Sequence, residues 1–367
     1  MRMRALVAAS TVLAVGVMTT GAGVAAASVI KPATRAGRSA TAAAARASQA
    51  TGGGGSIASA EATVSARICT SPRTHRKLAA RLSADIQRAL RGRAGDHAVA
   101  VYDTVTGVSC RADSYRQFAS ASIVKAIILA ALLRWHQETG TPLSSWENHE
   151  ATLMITQSDN DAATDLWDEA GVSRLQHFLD LAQMDQTRLG DDGYWGLTQV
   201  TAHDQMLLLK LLTRPNSVLT AASRAYQLGL MGRVISSQRW GTPAGAPAGV
   251  DVHVKNGWLP ESGGWHVNSI GAFTGKGMNY LIAVLTDDNP SEQYGIDTVE
   301  DVARLVHQEL SAARASAGAR LAANLAPSAA ATAAPSPASA PAPAAPAQPA
   351  PATSWAVVPA LPAAPTL

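Results

Sequence analysis

The chain has 367 residues, a net charge of +3 and a pI near 9.0, figures that would suit a nucleic-acid binder if the charge were evenly spread. It is not: residues 68–313 hold 21 Lys and Arg against 26 Asp and Glu, so the basic surplus belongs to the two ends. That excludes a nucleic-acid-binding core, and the two cysteines, neither with a ligand-like neighbour, indicate no metal site.

Residues 1–27 read as a cleaved signal peptide. Arg2 and Arg4 form a positive start, Ala5 to Val17 an apolar stretch short for a bilayer, and Ala25-Ala26-Ala27 a small-residue cleavage site. The expectation is a secreted, extracellular protein. Residues 28–67, rich in Ala, Ser, Thr and Gly and including Gly52 to Gly55, read as a flexible linker. Residues 314–367 are Ala and Pro with almost no charge, which predicts a disordered, partly polyproline tail. One domain, 68–313, remains between them. Export favours a disulfide between its cysteines, Cys69 and Cys110.

Within the domain, Leu78, Leu82, Ile86 and Leu90 make one helical stripe over 74–92. The basic run Arg73 to Arg93 reads as that helix's solvated face, with contact to an anionic cell wall as the alternative. Val99 to Tyr102 and Val108 to Arg111 read as strands around a Thr106-Gly107 turn. From Ile123 to Leu133 nearly every residue is apolar on all faces, which predicts a helix in the middle of the domain. Helices are expected at 147–157, 161–170, 173–183, 201–213 and 220–232. Strands follow at 250–255, 266–273 and 279–286, and a last helix carries Val302, Leu305, Val306 and Leu310. Strands on either side of a helical block predict an α+β fold, an antiparallel sheet of about five strands with terminal helices beside an all-helical region.

Three short patterns carry chemistry. Ser122-Ile123-Val124-Lys125 opens the buried helix, and residues three apart share a helical face. A lysine in so apolar a setting loses proton affinity and can act as a general base towards a serine hydroxyl. The helix start supplies N–H groups for an oxyanion. Ser158-Asp159-Asn160 precedes a helix; Ser158 is read as a proton relay between Ser122 and Lys125, and the Asn160 amide as orienting Lys125 and a substrate carbonyl. Lys255-Asn256-Gly257 ends a strand, where the lysine offers a cation to a substrate carboxylate and the glycine lets a substrate lie against the strand edge.

In that order the patterns resemble the S-x-x-K, S-D-N and K-T-G set of class A β-lactamases and penicillin-binding proteins. "ASIVKAIILAALL", "SDNDAATDLW" and "VNSIGAF…YLIAVLTDD" are similar to the same family's nucleophile helix, the segment after S-D-N and the late strands. The likeness covers most of 75–310. It implies a β-lactamase/transpeptidase-like fold and an acyl-enzyme on Ser122. The implied catalytic residues are Ser122, Lys125, Ser158 and Asn160, with Lys255, Asn256, Gly257 and Trp258 binding substrate. The N–H groups of Ser122 and Trp258 would form the oxyanion hole. No cofactor is implied. The expected partner of a monomeric enzyme is a β-lactam or a D-Ala-D-Ala-like peptide or ester.

Two positions depart from the family. Asn256 stands where Thr or Ser is usual. Residues 184–200, before Thr201-Ala202-His203-Asp204, contain no glutamate to activate a deacylating water; the acids there are Asp185, Asp191 and Asp192. Tyr194, Trp195 and Gly196, with Trp258 and Trp265, suggest an aromatic rim instead. The leading expectation is therefore a β-lactamase-type serine hydrolase. A DD-peptidase or esterase with slow β-lactam turnover, and a non-catalytic binder of penicillins or wall peptides, stand as alternatives.

Overall fold

A computed structural model describes residues 67–325. The expected signal peptide, nearly all of the linker and residues 326–367 lie outside the described residues. The strands are β1 (Cys69–Thr70), β2 (Asp96–Asp103), β3 (Ser109–Ala112), β4 (Gln117–Ala119), β5 (Gln199–Thr201), β6 (Asp251–Glu261), β7 (Gly264–Gly275) and β8 (Met278–Asn289). The helices are α1 (Arg76–Leu90), α2 (Lys125–Thr139), α3 (Ser145–Thr156), α4 (Asn160–Leu181), α5 (Ala202–Thr213), α6 (Ala221–Gly232) and α7 (Glu292–Leu325).

Six strands form one antiparallel sheet in the order β1-β3-β2-β8-β7-β6. Side chains on a strand alternate between faces, and β2 shows the result. Val99 and Val101 enter a core with Leu78, Leu82 and Ile86 of α1 and Val302, Val306 and Leu310 of α7. Ala98 and Ala100 enter a second core with α2, α4 and α5. The small alanines bring the helical block close to the sheet. The sixth strand, β1, is two residues long, and the Cys69–Cys110 disulfide ties it to β3 where the two residues pair in register.

α2 is buried on every side from Lys125 to Leu133, as its unbroken apolar sequence predicts. It ends at Gly140 in the left-handed conformation. Ser144 and Glu147 form a capping box on α3, and Asp159 caps α4 by accepting from Ala162 N. The helices expected at 161–170 and 173–183 run together as α4, broken only at Gly171, whose φ of 68° no helix interior adopts.

Three features differ from the sequence expectation. β4 and β5 pair into a small separate sheet; at three residues each they have no periodicity to read. Ser122 lies in a 3-10 turn, Ala121–Val124, that feeds into α2 at Lys125, so it precedes the α-helix proper. The domain boundary at 313 is also too early. Residues 311–325 are alanine-rich with no proline before Pro327, and alanine is the best helix former, so α7 continues to Leu325. Arg314, assigned to the tail from sequence, donates to the buried carboxylate of Asp103 at 2.7 Å.

Candidate active site

The site forms where the 3-10 turn, the start of α4 and the edge strand β6 meet. The turn is held from several sides. Ser120 N donates to Thr198 O at 2.8 Å, and Ser120 Oγ to Gly196 O at 3.3 Å. From the sheet, the buried Asn268 amide donates to Ala119 O at 2.8 Å and Ser120 O at 3.2 Å, while its oxygen accepts from Thr286 N. Ala121 has a φ of 46°, a conformation that a non-glycine residue holds only under such constraint. Gly257 closes the other side: a Cβ there would stand 2.6 Å from Ser122 N and 2.8 Å from Ile123 N. Only glycine lets β6 come this close to the N–H groups of the turn. The Ser122 hydroxyl, partly exposed, has no hydrogen-bond partner among the described residues.

Behind Ser122 the fully buried Lys125 amine contacts three oxygens: Ser158 O at 2.6 Å, Asn160 Oδ1 at 2.7 Å and Ser158 Oγ at 3.3 Å. Lys255, also fully buried, donates to Ser158 Oγ at 2.9 Å and Asn256 O at 2.9 Å. Ser158 thus lies between two lysines, where the sequence reading had put it between Ser122 and Lys125. Its own φ of 58° turns its carbonyl and hydroxyl towards the same amine. Burial, then the Lys255 charge, pushes Lys125 down to about 6, with Asp159 partly opposing. Burial pushes Lys255 down to about 7. A neutral Lys125 can keep its bonds to Ser158 O and Asn160 Oδ1 as a two-donor amine. Its lone pair is then free for a proton, delivered from Ser122 or relayed through Ser158, whose hydroxyl already accepts from Lys255.

Asn256 is used differently from the expected substrate contact. Its two amide hydrogens go to Gln238 O and Trp240 O, both at 2.9 Å, which fixes the loop leading into β6. Buried with both donors occupied, it has none to offer a ligand. Trp258 pairs with Val267 in the sheet and packs edge-on against Trp240, ring centroids 5.8 Å apart.

The loop that lacks a glutamate contributes Trp195. Its ring centroid lies 4.8 Å from Lys125 Nζ, and its indole N–H donates to Thr164 Oγ1 at 3.2 Å. Tyr194 is exposed nearby, whereas Trp265 packs into the α1–α7 core and does not join a rim. Asp185, Asp191 and Asp192 are all exposed, the last two in a short 3-10 turn. Among the described residues no group of three or more His, Cys, Asp and Glu could hold a metal ion.

Asn268 was missed by the sequence reading. The available signal was a single amide inside the apolar strand 266–273, where a buried polar side chain needs partners.

With this geometry in place, comparison with known proteins is informative. Residues 148–310 match the "Beta-lactamase enzyme family". That span, less than half of the chain, is similar to the family in sequence. The matched span includes Ser158, Asn160 and Lys255 but begins after Ser122 and Lys125. Among solved structures, PBP-A is 20% identical with a TM-score of 0.56 over 63% of this chain and 96% of its own. TLA-3 extended-spectrum β-lactamase is 16% identical with a TM-score of 0.57, over 62% and 98%. A β-lactamase from Xanthomonas campestris is 19% identical with a TM-score of 0.54, over 64% and 98%. These likenesses show a β-lactamase/transpeptidase-like fold. No curated protein matches the chain.

Proposed function

We propose that this chain is an exported serine hydrolase that forms an acyl-enzyme on Ser122 and acts on β-lactams or related amides and esters. The observation that carries the reading is the pair of buried lysines on one serine. Lys125, one turn behind an unpartnered Ser122 hydroxyl, has a proton affinity low enough to serve as a general base at neutral pH. Lys125 takes the Ser122 proton as the hydroxyl attacks the carbonyl. The N–H groups of Ser122 and Trp258 receive the oxyanion, and the relay Lys125–Ser158 returns the proton to the leaving nitrogen or oxygen. Lys255 holds a substrate anion when protonated. Among the solved structures, a PBP-A mutant is described as an acyl-enzyme complex with penicillin G, which supports the same covalent step here. The Cys69–Cys110 disulfide supports export, since such bonds persist in oxidising compartments.

Within this reading the loop favours slow release. Trp195 covers Lys125, no glutamate lies in 184–200, and Asp185, Asp191 and Asp192 there are exposed to solvent, which supports a site without a held base to activate water against the acyl group. A positioned general base contributes about 10²–10⁴-fold, so acylation outruns deacylation and labelled protein accumulates. The test is incubation with a fluorescent penicillin and, separately, a chromogenic cephalosporin. A burst followed by slow turnover, with the adduct located on the Ser122 peptide by mass spectrometry, is the expected result. Labelling that persists in Ser122→Ala would overturn the mechanism, and fast turnover without a burst would overturn the slow release.

A further inference from the structure

The sheet has a second edge, away from the candidate site. β6, with Lys255 and Gly257, forms one edge; β1 and β3 lie at the other. Beside β1 and β3 opens a groove of about 970 Å³ lined by Arg67, Arg91, Arg111, Lys210, Tyr102 and Asp113. The basic run noted in the sequence divides here. Arg81 pairs with Glu309, Arg88 with Asp85, and Arg93 with Thr298 and the Tyr294 carbonyl. Arg91 faces the groove instead.

The groove's cations are crowded, and Arg214 stands beside the lining, next to Tyr102 and Lys210. Lys210 Nζ lies 4.4 Å and the Arg214 guanidinium 5.4 Å from the centroid of the Tyr102 ring. Burial, then Arg111 and Arg214, lowers the proton affinity of Lys210. Among the described residues none of Arg67, Arg91, Arg111, Lys210 and Arg214 takes part in an ion pair. Asp113 is the single carboxylate in the lining. Arg91 and Arg214 follow helix C-termini, where a cation is favoured anyway. That does not account for Arg67 and Arg111, which flank or belong to strands. In a domain whose acids outnumber its bases, such crowding is unfavourable unless an anion neutralises it.

We propose that this groove binds a linear polyanion of phosphate groups, on a track from Arg91 at the end of α1 past Arg67 and Arg111 to Lys210 and Arg214 at the end of α5. The volume far exceeds one phosphate. Four of the five cations are arginines, whose planar forks match phosphate oxygens in pairs. The groove lies at the opposite edge of the sheet from Ser122, so such a ligand would anchor the protein while leaving the site open.

The test titrates the full chain into fluorescently labelled inorganic polyphosphate and reads anisotropy at two salt concentrations. The double variant Lys210→Gln/Arg214→Gln should weaken binding at least about tenfold and flatten the slope of log K against log salt by about two, one counterion per cation lost. Arg76→Gln/Lys77→Gln makes the same charge change on the exposed start of α1, outside the groove, and should weaken binding by less than about threefold. Cations elsewhere in the chain are common to all variants and cancel in the comparison. Unchanged unfolding midpoints would show that both variants fold. Four outcomes overturn the proposal: no binding by the wild type, equal loss in the two double variants, polyglutamate binding as tightly as polyphosphate, or orthophosphate competing as well as polymer at equal phosphate. Penicillin labelling of Ser122, measured in parallel, reports separately on the acyl-enzyme.

Discussion

Two of the buried charged clusters in this domain treat charge in opposite ways. Near the end of α7, the fully buried Asp103 carboxylate meets the Arg314 guanidinium at 2.7 Å and the Thr106 hydroxyl at 2.6 Å, one charge against one. In the candidate site, Lys125 and Lys255 share the Ser158 hydroxyl, and no carboxylate bonds to either amine. The balanced pair ties the terminal helix to the sheet. The unbalanced pair is held by oxygens that can satisfy neutral amines, and each lysine gives up proton affinity. Structural clusters remove net charge from the interior, whereas a site built for proton transfer keeps a group that is costly to ionise.

Substitutions that remove one cation from each cluster should therefore separate activity from stability. Lys125→Met is the largest expected effect: the acylation rate of a penicillin, followed by stopped flow, should fall about 10²–10⁴-fold. Its stability should stay within about 1 kcal/mol of wild type in urea, because relief from burying a lysine that must give up its proton offsets the donors lost to Ser158 and Asn160. Arg314→Met should do the reverse. It strands the Asp103 carboxylate in the core, so unfolding free energy should drop by about 3 kcal/mol while the acylation rate at a temperature where the protein is folded stays unchanged. Equal stability losses in the two variants would break the comparison.

Asn268 tests whether the nucleophile turn is held in its reactive shape by the sheet. Asn268→Ala takes the side-chain donor from the Ala119 and Ser120 carbonyls, the second of which keeps Ile123 N. Acylation should slow about tenfold, with the affinity for uncleaved substrate little altered and a stability loss of about 2 kcal/mol from the unpaired groups. A variant that loses stability but acylates at the wild-type rate would reduce Asn268 to a packing residue.

What could be read in advance follows from the range over which each signal acts. Ser122 with Lys125, and Ser158 with Asn160, are contiguous patterns whose spacing is set by one turn of backbone, and the structure brings them together with Lys255. α2 was legible because a helix apolar on every side belongs in the interior. Features defined by distant partners were not. β4 exists only through β5, far along the chain. Arg314 sits in an alanine-rich stretch that reads equally as tail or helix until Asp103 supplies its partner. Asn256 shows the limit inside a correct motif: its place in the strand was readable, but not that Gln238 and Trp240 carbonyls would take its donors.

The pH profile should give the smallest effect and the sharpest view of the unbalanced pair. Lys125, lowered to about 6 by burial and then by Lys255, must be neutral to accept the Ser122 proton, so acylation should rise with pH through about 6. Lys255, lowered to about 7 by burial, must be charged to hold a substrate carboxylate, so apparent affinity should fall as pH rises through about 7. For a penicillin, acylation efficiency should trace a narrow bell whose limbs belong to the coupled pair and not to either lysine alone. A neutral activated ester needs no cation, so its profile should keep the acid limb and lose the alkaline one. Lys255→Arg should also move the alkaline limb out of range, since a guanidinium stays charged. Stability carries the matching sign. The unfolded chain holds lysine protons that the folded site has released, so unfolding free energy should climb with pH above about 6, and Lys125→Met should remove part of that climb. An alkaline limb that survives with the neutral ester would mean that Lys255 does not act by its charge on the substrate.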